Sequence, residues 1–142
     1  MEISKFVGDV VKINGKSYDV LVLSIEENFS ILYSENTGRT LSETARMTLD
    51  PIGTFIGHKV KFGRKTGHEQ DYDALFDFAA TPRFVGVNLE IVHGQEVINY
   101  EAYVSSGARA VRNISKNNLK VYWGELELNF VPMEAQVTPN VG

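Results

Sequence analysis

The chain has 142 residues, no cysteine, and a formal net charge of −4 from 18 acidic and 14 basic residues. A hydrophobic share of 43% supports one cored domain. The missing cysteines exclude disulfides and thiolate metal sites and fit a reducing cytoplasm. The acidic balance argues against a protein that grips nucleic acid by its phosphates. It suits one that nucleic acid merely slides past, and it is also the ordinary balance of many soluble proteins. No apolar run approaches the ~20 residues of a membrane helix. The start, Met1-Glu2-Ile3-Ser4-Lys5, has no apolar secretory core.

Phe6 to Ile13 and Lys16 to Ile25 read as strands joined by Asn14-Gly15, a dipeptide suited to the positive φ of a tight hairpin turn. Phe29 to Tyr33 is expected to continue that sheet after a break at Glu26-Glu27-Asn28. Ser34 to Gly53 is polar, with Leu41, Met47, Leu49 and Ile52 as its few large apolar residues. An irregular loop of roughly 20 residues is uncommon in a compact domain unless it has a task. Thr54 to Gly63 alternates, placing Ile56, His58, Val60 and Phe62 on one face, the pattern of a half-buried strand.

The period then changes. Tyr72, Leu75, Phe76 and Ala79 form one helical stripe, which predicts a helix over about Glu69 to Ala80. Thr66 stands three residues before Glu69, the spacing of a capping box, and Pro82 closes the segment. Two further strands are predicted, Phe84 to Val92 and Glu96 to Ser105, around a turn at His93-Gly94-Gln95. Ser106 to Asn118 is polar and mixed, with a short irregular strand or turn expected within Ala108 to Ile114. In the last strand, Leu119 to Val131, the apolar phase switches at Gly124. A bulge there would repair the phase. Met133 to Gly142 reads as an extended tail after a domain spanning residues 1–132. The fold class expected is mainly β (α+β): an antiparallel sandwich or rolled sheet of about seven strands with one flanking helix.

Chemistry is sparse. The three histidines, His58, His68 and His93, lack a zinc-protease spacing. His58 reads as a hydrogen-bonded core or interface residue, His68 and His93 as exposed. No phosphate loop or nucleophile elbow occurs. Asp73 and Asp77 share a helix face and could do acid–base work or hold a cation, but acids near a helix N-terminus are also simply favourable. No cofactor and no enzymatic activity are expected.

The order of parts, and phrases such as Asn36-Thr37-Gly38-Arg39-Thr40-Leu41, Asp50-Pro51-Ile52-Gly53-Thr54, Tyr72-Asp73-Ala74-Leu75, Glu101-Ala102-Tyr103-Val104 and Trp123-Gly124-Glu125-Leu126, resemble tail-tube and distal-tail virion proteins of phages of Gram-positive bacteria. The resemblance spans about residues 6 to 132 and its motifs are structural. It implies a ring-forming subunit of a phage tail, made in the host cytoplasm. Its partners would be copies of itself and other tail proteins, and DNA would pass only in transit. The 34–53 loop has no catalytic content, so an assembly role explains its length. Its interface candidates are Asn36, Arg39, Thr40, Leu41, Arg46, Met47, Leu49 and Ile52. The loop and both termini are expected to become ordered only in the assembly. Alternatives are a head–tail joining or other virion protein, a single-strand-binding barrel of the OB type, and an enzyme or ligand binder using Asp73, Asp77 or His58.

Overall fold

A computed structural model describes residues 2–5 and 8–140. Its strands are β1 (Glu2–Lys5), β2 (Val11–Ile13), β3 (Leu21–Tyr33), β4 (Gly38–Arg39), β5 (Met47–Thr48), β6 (Pro51–Gly63), β7 (Val87–His93), β8 (Glu96–Ser115) and β9 (Lys120–Pro132); the helix α1 (Glu69–Ala80) lies between β6 and β7. Seven strands form one antiparallel sheet in the order β2-β7-β8-β9-β6-β3, with β1 also on β8; β4 and β5 make a separate pair. The mainly β class with one helix is what the sequence pattern predicts.

The sheet is rolled. Glu27 on β3 and His93 at the end of β7 meet at 2.6 Å, although β8, β9 and β6 lie between their strands. In a flat sheet four strand spacings of about 4.8 Å would hold them about 19 Å apart. Alternate residues therefore converge inside the roll: Leu89 and Ile91, Ile98 and Tyr100, Leu126, Leu128 and Phe130, Val60 and Phe62. Helix α1 contributes Tyr72 and Leu75 to that core.

Several expectations change on contact with tertiary structure. The Asn14-Gly15 turn forms, with φ of 52° and 76° and reciprocal Ile13–Lys16 hydrogen bonds of 2.9 and 3.0 Å. Yet no hairpin grows from it, because Val11–Ile13 pairs with β7 instead. Asn14 bridges to the same strand: its N–H donates to the Asn88 carbonyl at 2.7 Å and its Oδ1 accepts from the Asn88 N–H at 2.8 Å. The first part of the predicted opening strand, Phe6 and Val7, lies outside the described residues. Glu26-Glu27-Asn28 is no break. β3 runs through it, since Lys59, His58 and Gly57 of β6 stand opposite.

The capping box does not form. His68 is the N-cap and no side chain caps the helix; Gly67, at φ +85°, turns the chain between Thr66 and the helix. Phe84 and Val85 lie outside β7 and are exposed. β8 continues to Ser115, and its second half lost the sequence alternation because it is largely solvent-exposed on both faces. The Gly124 bulge is present: three steps on β9, Trp123 to Leu126, oppose two on β8, Val111 to Arg109.

Replacing Leu75, which is fully buried, by alanine is expected to cost about 2–5 kcal/mol in a urea titration. Thr66→Ala should change stability by less than about 0.5 kcal/mol. A loss near the ~1 kcal/mol of a true N-cap would restore the capping box.

Candidate assembly surface

β3 is a thirteen-residue strand that, among the described residues, pairs on one side only, with β6. Its free side offers a row of unpaired backbone donors and acceptors, the feature that most readily recruits another strand. The strand is also apolar without being buried. Leu21, Leu23, Phe29, Ile31 and Leu32 are all exposed, Phe29 to 71%. An ordinary edge strand blunts this hazard with lysine, proline, shortness, charge or a bulge; β3 has no lysine or proline and is long, and Glu26 and Glu27 at its middle and an irregularity between Val22 and Ser24 interrupt it.

Two hairpins project from the roll. β6 pairs with β9 from His58↔Phe130 to Phe62↔Leu126. Beyond His58 the remaining part of β6 is paired with β3 out to Tyr33↔Pro51. Beyond Leu126 in the other direction, β9 is paired with β8 out to Ser115↔Lys120. Because β6 and β9 are antiparallel, these two arms leave the body at opposite ends.

The first arm ends in the 34–50 excursion, which carries its own structure. β4 and β5 pair at Gly38↔Thr48 and Arg39↔Met47. Asp50 ties its base: its carbonyl accepts from the Ser34 N–H at 2.9 Å, its N–H donates to Thr37 Oγ1 at 2.8 Å, and its carboxylate accepts from the Ser34 hydroxyl. Asn36 Nδ2 reaches the same carboxylate at 3.4 Å. The Thr40 N–H donates to the Arg46 carbonyl at 2.8 Å, and Arg39 donates to the Ala45 carbonyl at 3.3 Å. These residues thus build the hairpin. Leu41, Met47, Leu49 and Ile52 remain exposed on it, Leu49 to 61%. The excursion is therefore shorter and more regular than a bare loop over Ser34–Gly53, since β6 already begins at Pro51.

The buried chemistry lies elsewhere. His58 is fully buried. Its Nδ1 meets the Tyr100 hydroxyl at 2.7 Å and its Nε2 meets Glu27 Oε2 at 2.9 Å. An ionised carboxylate only accepts, so Nε2 carries the proton and the Tyr100 hydroxyl donates to Nδ1. His93 Nδ1 reaches the same Glu27 oxygen at 2.6 Å, so His93 is not the free turn residue its position in the sequence implies. Burial lowers the His58 pKa below its ordinary value, against the opposing pull of Glu27. Burial likewise raises that of Tyr100. These three hydrogen bonds, two of them on the one oxygen Glu27 Oε2, make the set a clasp between β3, β6, β7 and β8.

Asp73 is committed too. It pairs with Arg109 at 2.8 Å, whose guanidinium lies 3.9 Å from the Phe76 ring centre and 4.2 Å from that of Trp123. Arg109 pins α1 to the β8–β9 hairpin with 15% of its side chain exposed. Nothing in the polar stretch 106–118 marks it in the sequence, because its partners come from two other elements. Asp77 is exposed and engages only through its carbonyl, which accepts from the Thr81 hydroxyl at 2.6 Å. Asp19, His68 and Asp71 bring three ligand-type atoms within 4.8 Å. Lys65 Nζ already sits on Asp19 at 2.8 Å and holds its carboxyl below the usual range by that hydrogen bond. The site also lies at the positive end of a helix, which disfavours a cation.

No protein-family model matches the chain, and a search of curated proteins returns no match. No helix among the described residues is long and apolar enough to cross a membrane.

The His58 clasp has a pH signature. A histidine whose folded pKa is depressed binds a proton more readily once unfolded. Its stabilising contribution is thus present above the unfolded pKa of 6.5 and is lost as pH falls below it. The stability advantage of the native chain over His58→Gln should shrink between about pH 7.5 and about pH 5, read from unfolding midpoints. An advantage that stays constant over that range contradicts the assignment.

Proposed function

We propose that the chain is a structural subunit that assembles with copies of itself, and that the assembly is a bacteriophage tail, as tube or distal-tail rings around a DNA channel. The observation that carries the self-assembly reading is the open edge of β3: thirteen residues, unpaired on one side, and apolar at exposed positions on both faces. A strand of that length left bare in solution is an aggregation site unless a specific partner covers it. A second copy is the economical partner, because closed symmetric contacts satisfy every edge at once.

The resemblance of the sequence phrases to tail proteins supports the particular assembly. So do the rolled sheet with one packed helix and the two arms at opposite ends, an arrangement suited to lateral contacts through strand edges and axial contacts through arms. The clasp and the Arg109 stack use the chemistry-bearing side chains structurally, which agrees with a non-enzymatic role.

Concentrated protein should form rings or tubes in negative-stain micrographs without added ligand. Phe29→Lys with Ile31→Lys should abolish ring formation in micrographs, while monomer stability moves by no more than about 0.5 kcal/mol. Amides of 34–50 should gain protection from hydrogen exchange on assembly. A chain that stays monomeric at every concentration, or that shifts a single-stranded oligonucleotide at low salt, contradicts the reading.

A further inference from the structure

A strand position in the sheet stands open beside the β8–β9 arm. β6 ends at Gly63, and its pairing with β9 stops at Phe62↔Leu126. β9 begins at Lys120 and pairs with β8 out to that tip. Among the described residues, 120–125 therefore meet no strand on the side that β6 would take if it ran on. One group there is used: the Gly124 carbonyl accepts from the Tyr72 hydroxyl at 2.8 Å. An unpaired stretch of strand takes up extended chain readily.

The fold itself fills two positions of the same kind. β1 pairs with residues 96–99 of β8. β7 holds the other side of those residues, so β1 lies on the side where β9 pairs from Ala102 onward, end to end with β9. On β6, the Thr54 N–H donates to the Val137 carbonyl at 2.9 Å and the Thr54 carbonyl accepts from the Gln136 N–H at 3.0 Å. That is the side on which β9 takes over at His58. Short extended segments laid in line with a longer strand are thus a device of this sheet. No described segment fills the position past Gly63.

The open position is a cleft of about 710 Å³, the size of a ligand-binding cleft. Its lining is mixed. Leu21, Leu23, Val111 and Trp123 supply apolar surface, and the first three are exposed. Leu23 packs on the end of β6, where a Cβ at residue 63 would stand 3.2 Å from its side chain. Arg64, Arg112 and Glu125 supply charge. Among the described residues neither arginine forms an ion pair; Arg64 lies 4.7 Å from the Tyr122 ring centre. Two guanidinium groups against one carboxylate give the cleft a surplus of one positive charge, on a chain of net charge −4. A purely apolar segment would leave the arginines unanswered, and a purely acidic one the leucines. An extended segment that alternates the two presents both sets of side chains at once, and its carboxylates suit guanidinium groups.

We propose that this gap is a strand-addition site for an extended, alternating acidic and apolar segment of a different protein, laid end to end with β6 and paired with residues 120–125 of β9. A second copy of this chain does not supply such a segment. Its alternating runs, Leu89-Glu90-Ile91 in β7 and Glu125 to Leu128 in β9, lie within the sheet, and residues 89–91 and 126–128 are paired on both sides. In the edge strand β3 the acids Glu26 and Glu27 are adjacent instead of alternate, and Glu27 is held by His58 and His93. The site is separate from the free edge of β3 and from the 34–50 excursion, so the inference goes beyond the self-assembly reading and does not rest on it.

Labelled peptides of about eight residues, long enough to span 120–125, test it on the full chain by fluorescence anisotropy. The probe alternates glutamate and valine and has both ends blocked. One control carries lysine in place of glutamate. The other is the glutamate peptide with every second backbone amide methylated, which removes the donors a ladder needs. The native chain should bind the probe about tenfold or more tightly than either control. Arg64→Glu with Arg112→Glu should reverse the preference between glutamate and lysine peptides, a melting curve establishing that the variant folds. If it does not fold, Arg112→Glu alone, at an exposed position, should narrow the preference. Equal binding of all three peptides, binding indifferent to methylation, or a folded variant with the native preference overturns the proposal. Self-association of the native chain that the same variant abolishes in sedimentation also overturns it, because a second copy would then be the occupant. A chain that stays monomeric and shows the preference upholds the site and defeats the ring reading; rings without the preference do the reverse.

Discussion

Strands β6 and β9 are thirteen residues each, yet they pair only from His58↔Phe130 to Phe62↔Leu126. That short overlap organises the molecule. The inward row of β6, Ile56, His58, Val60 and Phe62, must meet the inward row of β9, Leu126, Leu128 and Phe130, and a slip of one residue would turn a whole row to solvent. The bulge at Gly124–Glu125 ends the match on one side. On the other, Pro132 lacks the donor that a continuing ladder requires, and the chain rejoins β6 through the Thr54↔Val137 bridge, the Gln136 N–H on the Thr54 carbonyl and the Gln136 side chain on Ile56. Each strand therefore extends past the other and takes its hairpin partner with it. The arms follow directly from the offset.

The roll needs a second constraint, and the Glu27–His58–Tyr100–His93 set supplies it. Buried polar networks cost desolvation and stabilise only when every member is paired. Here both ring nitrogens of the buried His58 have a partner within 2.9 Å, and the Glu27 oxygen that accepts from one of them is shared with His93. The network fixes β3 to β7 across the roll. An edge strand anchored at Glu27, its midpoint, cannot peel away without exposing His58. The same residue that looks like a strand breaker in the sequence is thus what keeps the open edge in place for a partner.

Much of the fold was legible. Period-two runs located β6, β7, the first half of β8 and β9, and the helical stripe gave α1 with the bounds observed. What local pattern could not supply was pairing. Asn14-Gly15 specifies a turn, but Val11–Ile13 gains more from completing the sheet beside β7 than from a two-stranded hairpin, which is marginal alone. The outer half of β8 was illegible because exposure on both faces erases alternation. The excursion residues were recognisable as a feature without catalytic content. The clasp and Arg109 were not recognisable, since their partners are 31 to 66 residues away in the chain.

The charges along β3 bear on which kind of self-contact the edge permits. Two copies of β3 meeting antiparallel in full overlap would set Glu27 against Glu27 across a two-fold axis, and like charges directly opposite destabilise a strand pair. Each Glu27 is also held by two imidazoles of its own chain, so it cannot swing aside without opening the clasp. A symmetric β3–β3 dimer is therefore disfavoured. The other sheet borders, β1 and β2, carry Lys5 and Lys12. Opposite charge across a strand pair favours those edges as the partner of β3, and a contact between two different edges of the same chain is the kind that repeats around a ring. On the proposed reading, one pair of acidic residues in the middle of the edge strand selects closure over dimerisation.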